Sequence, residues 1–145
     1  NSILVDASAA TPCLRIDQAI TLRGANAALD EAGPPVFNSF VLDCATDFRN
    51  GSGGTTAAQT QAVFDAGSNN NANFTDTLSM TFVNGANENG VPVFDPTVFS
   101  TFFVVPTNIG AVYPGNETWI NGWTCNSATV TFDSGVSDCT SLPVY

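Results

Sequence analysis

The chain has no histidine and no lysine, and its only cations are Arg15, Arg23 and Arg49. Without histidine, the usual base of a Ser/His or Cys/His nucleophile is missing. Zinc sites lose their imidazole ligands as well, and no two cysteines stand at C-x-x-C spacing. Without lysine, there is no amine nucleophile. After Arg49 acids continue with no base at all, and the formal net charge is −10. That charge repels phosphate backbones and anionic lipid, so nucleic acid and membrane surfaces are poor partners. No apolar run approaches the length of a membrane span, and membrane insertion is not expected. The opening on Asn1, without Met or a basic n-region followed by an apolar segment, is expected either after processing or at a boundary cut within a longer chain.

What is present is apolar and aromatic enough to fold. At 145 residues the expectation is one domain, residues 1–145, with a buried core. Cys13, Cys44, Cys125 and Cys139 fall as an early and a late pair. Pairing of sequence neighbours gives Cys13–Cys44 and Cys125–Cys139, one of three connectivities that the sequence allows. Disulfides imply an oxidising compartment, hence an extracellular or cell-surface protein.

The stretch from Asn108 to Cys125 has most to bury and bends most sharply. It holds Tyr113, Trp119 and Trp123, with turns at Pro114-Gly115-Asn116 and Asn121-Gly122. Elsewhere, short apolar runs alternate with Gly, Pro and Asn turns. Ser2–Val5, Leu14–Ile16, Ala19–Leu22, Val36–Leu42, Phe74–Val83, Val91–Phe94 and Val98–Val105 read as strands. Phe74–Val83 alternates best, and Phe99, Phe102 and Phe103 are expected in the core. Ala25–Glu31 reads as a helical turn. Thr55–Ala66 reads as the best helix, with Thr56 as cap, Gln59 as its return partner, and Ala58, Ala62 and Val63 on one face. This pattern predicts a mainly β fold: a disulfide-stapled antiparallel β-sandwich with one or two short helices.

No reaction centre is legible, and a non-enzymatic role is expected. Phe64-Asp65-Ala66-Gly67 and Phe132-Asp133-Ser134-Gly135 carry Asp-small-Gly triplets, the second like those of aspartic proteases. The second lies too near the end for such a half-domain to follow, and both are ordinary turn sequences. Glu31, Glu88 and Glu117 all fall in expected turns or loops, which argues against a paired-carboxylate glycosidase. Calcium is the most reasonable ion, with Asp65, Asn69, Asn71 and Asp76 as candidate oxygen ligands, although Asn-rich segments are more often plain loops. Asn50, Asn73 and Asn116 head N-glycosylation triplets. Tyr113, Trp119 and Trp123 would serve as core or as a stacking platform for sugar.

The segment from Phe102 to Cys125 resembles a pattern in secreted and surface proteins of bacteria. Ile109-Gly110-Ala111 and, after a turn, Trp119-x-x-Gly122-Trp123-Thr124 carry the likeness. The resemblance implies an extracellular, β-rich, non-enzymatic protein and no catalytic residues.

The functional expectation is a structural subunit of a surface filament or pilus-like fibre, self-associating into a homopolymer by β-strand addition. Ile3, Leu4 and Val5, within an N-terminal arm of residues 1–7, are the assembly residues: they form either an edge strand of their own sheet or an arm exchanged with a neighbour. The alternative is a monomeric cell-surface module for carbohydrate or calcium.

Overall fold

Thr56 starts the longest helix among the described residues. Its Oγ1 accepts from the Gln59 N–H at 3.2 Å, and Gln59 Oε1 accepts from the Thr56 N–H at 2.9 Å. This is the expected capping box. The helix, α1, spans Ala57–Asp65. Its buried residues are Thr60 and Phe64, while Ala58 and Ala62 face solvent. Bulk decides the face. The Phe64 ring lies 5.9 Å from Phe37, 6.3 Å from Phe40 and 5.5 Å from Phe48, centroid to centroid. Alanines on the other face offer far less area to bury.

The computed structural model describes residues 1–80, 82–116, 124–126 and 139. The chain forms two compact units, Asn1–Thr75 with Val91–Ile109, and Asp76–Gly90 with Gly110–Tyr145.

In the first unit, β1 (Ser2–Asp6) pairs in parallel with β2 (Phe40–Cys44), placing Ile3 opposite Val41, Leu4 opposite Leu42 and Val5 opposite Asp43. These are the two strands among the described residues. The expected antiparallel β-sandwich is therefore not formed. Alternation reports where side chains would point, but a strand also needs a partner for its backbone. Among the described residues the run at 74–83 forms isolated bridges and no strand: Met80 turns left-handed at φ 53°, Ser79 and Val83 close a tight antiparallel bridge, and Val83 bridges Val112. Ala19–Leu22 is a 3₁₀ turn, and Pro96–Val98 is another, started by Pro96 and capped by Asp95. Leu14–Ile16 contributes one isolated bridge, Leu14 to Phe48. The turn at Ala25–Glu31 is present as a 3₁₀ turn, Ala27–Leu29, capped by Asn26.

Val41, Leu42, Phe64 and Ile109 are fully buried in this unit. Phe99, Phe102 and Phe103, expected inside, are 70%, 86% and 46% exposed. Cys13 and Cys44 form a disulfide with Cα atoms 6.1 Å apart, tying the segment after β1 to the end of β2. Arg49 holds the same segment through two bonds, Nη1 to the Ala10 carbonyl at 2.6 Å and Nη2 to the Ala9 carbonyl at 2.7 Å.

In the second unit Val83 and Val112 are buried together with Phe82 against them, and the Asn84 N–H donates to the Val112 carbonyl at 2.9 Å. Cys125 and Cys139 are joined, with Cα atoms 4.8 Å apart. The buried Glu88 sits in a short helix, α2 (Ala86–Asn89). Its carboxylate accepts from the Thr77 N–H at 2.7 Å, the Thr77 hydroxyl at 2.7 Å and the Gly85 N–H at 2.8 Å. Burial alone raises the carboxyl pKa. The bonds from Thr77 and Gly85 outweigh it and hold Glu88 below the ordinary glutamate value. Gly85 is needed for the close approach, because a Cβ there would collide with the Thr77 carbonyl.

Candidate functional site

Successive residues of a parallel strand offer their backbone groups to opposite edges. Two bonds set that parity in β1: the Ser2 N–H donates to the Ser39 carbonyl at 3.0 Å, and the Ala45 N–H donates to the Asp6 carbonyl at 2.9 Å. Ser2, Leu4 and Asp6 therefore bond towards β2. Ile3 and Val5 present their N–H and C=O groups to the other edge. There, among the described residues, those four groups have no partner.

The far edge of β2 is closed in an unexpected way. The Asn71 N–H donates to the Phe40 carbonyl at 3.0 Å, and Asn71 C=O accepts from the Leu42 N–H at 2.9 Å. Asn70 adds its side chain: Oδ1 accepts from the Phe40 N–H at 3.0 Å, and Nδ2 donates to the carbonyls of Phe37 and Phe64 at 2.8 and 2.6 Å. Asn38 Oδ1 holds Ser68 through its N–H and hydroxyl at 2.9 and 3.0 Å. Gly67 permits this docking, since a Cβ would strike the Phe37 carbonyl. The Asn-rich segment is thus a third backbone ribbon beside β2, and β1 carries the sheet's open edge.

The same unit carries an exposed apolar segment that opens in a turn, where the Phe103 N–H donates to the Ser100 carbonyl and the Phe102 N–H to Ser100 Oγ, both at 3.2 Å. Phe102 is 86% and Val104 84% exposed, with Thr101, Phe103 and Val105 exposed beside them. The N–H groups of Val104 and Val105 have no hydrogen-bond partner among the described residues. Asn1 anchors the chain just upstream of this segment, its side chain bonding the Phe94 backbone. A groove of about 360 Å³ opens beside Asn1 and Ser2, walled by Phe37, Phe40, Phe94 and Phe99.

Ile3, Leu4 and Val5 lie in β1, paired within their own chain. Of the candidate calcium ligands, Asp65 ends α1 exposed, and Asn69 adopts a left-handed turn at φ 57°. Asn71 Oδ1 accepts from the Asn73 N–H at 2.9 Å. Asp76 belongs to the second unit, where its carboxylate accepts from the Leu78 N–H at 3.1 Å. Among the described residues, no group of three acids, cysteines or histidines is placed to hold an ion. Asn50 and Asn73 are exposed. Asn116 Oδ1 accepts from the Tyr113 N–H at 2.7 Å, and both residues are half-buried. Trp119 and Trp123 lie outside the described residues.

Sequence reasoning missed Asn70, Asn38 and the exposed 101–105 segment. A signal for the first is present: the run Ser68-Asn69-Asn70-Asn71 after Gly67 has the side chains that bond to nearby backbone. No protein family, characterised protein or solved structure matches the chain.

Proposed function

We propose that this is an extracellular structural protein whose copies assemble by adding a β-strand to the open edge of β1. The observation that carries the reading is the outward row of Ile3 and Val5 backbone groups. Among the described residues they have no partner, while the other edge of the strand is fully used. Natural sheets guard such an edge with lysine, proline or a bulge. Here β1 is Ser-Ile-Leu-Val-Asp, and the chain has no lysine to place there. The two disulfides support an oxidising compartment, and the resemblance of the 102–125 segment to bacterial surface proteins points the same way. A head-to-tail contact that does not close produces a fibre, which is the form proposed.

The test is sedimentation velocity and negative-stain imaging of the oxidised full chain across a concentration series. Polymers or fibres that grow with concentration are expected. A particle that stays monomeric throughout contradicts the reading.

A further inference from the structure

We infer that the strand received by the β1 edge is the 101–105 segment of a second copy of this chain. The inference rests on the assembly reading and names its donor. The lengths agree: β1 is five residues, Ser2–Asp6, and Thr101-Phe102-Phe103-Val104-Val105 is five. The donor has the composition of a strand, β-branched and aromatic throughout, yet it joins no strand pair among the described residues. Neighbouring residues face opposite edges, so one of its two unpartnered N–H groups, that of Val104 or that of Val105, meets an edge that offers unpartnered carbonyls at Ile3 and Val5, and pairing along the whole segment opens the turn in which Phe102 and Phe103 donate to Ser100. Pro106 bounds the segment on one side and the Pro96–Val98 turn on the other, which limits pairing to this stretch.

Charge selects the partner. Copies with net charge −10 repel one another, so contact between them needs surfaces without acids. The longest such stretch is 96–116, where no charged residue occurs between Asp95 and Glu117. The donor lies inside it. The aromatic-walled groove beside Asn1 and Ser2 gives an incoming phenylalanine a place to bury its ring. Because edge and donor are different surfaces of one unit, each copy both gives and receives, and the contact propagates.

The experiment compares the oxidised wild-type chain with Phe102→Glu and Val104→Glu. Both positions are highly exposed, so circular dichroism and melting temperature should match wild type. Sedimentation should show wild-type polymer and at least a tenfold loss of polymer in each variant. A synthetic Ser100–Pro106 peptide, added in excess to wild type, should cap the β1 edge and shorten the polymers. Wild-type polymer that persists unchanged in both variants and with the peptide overturns the donor assignment and leaves the assembly reading standing. A discrete dimer, as expected if two β1 edges pair with each other, also overturns it. A wild-type chain that never assembles overturns both.

Discussion

The Asn1 side chain meets the Phe94 backbone in both directions: Oδ1 accepts from the Phe94 N–H at 2.7 Å, and Nδ2 donates to the Phe94 carbonyl at 2.8 Å. This pair fastens the entry to β1 to the chain that leads into the exposed 101–105 segment. Asn1→Asp keeps one acceptor but sets a carboxylate against the Phe94 carbonyl. The expected loss is about 1–3 kcal/mol, read as a lower urea midpoint with unchanged slope. An unchanged midpoint would show that the pair contributes nothing.

Glu88 ties stability to acid pH. Its folded pKa lies below the ordinary value, so its contribution is fully present above the unfolded pKa and is lost as pH falls through the folded one. The window therefore opens at about pH 4.3 and extends downward. Glu88→Gln leaves a buried site short of an acceptor and costs about 1.5–3 kcal/mol at neutral pH. The gap between wild type and variant should narrow in acid. A gap independent of pH would mean the charge is not what matters.

Asp47 works with the opposite sign. Burial, and then the neighbouring charge of Asp43, raise its carboxyl pKa, and Asp47 Oδ1 is buried without a hydrogen-bond partner among the described residues. A carboxyl whose folded pKa is raised favours folding while protonated and opposes it as pH rises through that pKa. Asp47→Asn should therefore raise the melting temperature at pH 7 and lose that advantage in acid. A variant less stable than wild type at pH 7 would refute this account.

The Cys13–Cys44 bond closes a loop with a sequence separation of 31. Replacing both cysteines by serine should cost about 3–4 kcal/mol in the chain-entropy model, measured by chemical unfolding. Its removal also frees the segment after β1 from the end of β2, so the loss should be larger when Arg49→Ala is added.

The parts legible in the sequence are those decided locally. Thr56 and Gln59 are three residues apart, and their mutual bonds mark the start of α1 without help from the rest of the chain. The disulfides join sequence neighbours. The partner of β1 is not legible, because Ile3 and Val41 lie far apart in the chain and nothing local says whether pairing is parallel. Phe99, Phe102 and Phe103 look like core by composition, and only the finished packing shows that Phe37, Phe40, Phe48 and Phe64 already fill the aromatic cluster. Asn70 and Asn71 look like a loop or an ion site by composition, while their backbone and amides close the edge of β2. In each case side-chain chemistry is readable and the distant backbone partner is not.

The most direct test of the open edge is residue-resolved amide hydrogen exchange along β1, in the monomer and in the assembled form. The account predicts alternation in the monomer, with Leu4 and Asp6 protected by β2 and Ile3 and Val5 exchanging fast. On assembly, Ile3 and Val5 should become protected while Leu4 and Asp6 stay as they were. Ile3 and Val5 already as slow as Leu4 in the monomer, or still fast in the polymer, would contradict it.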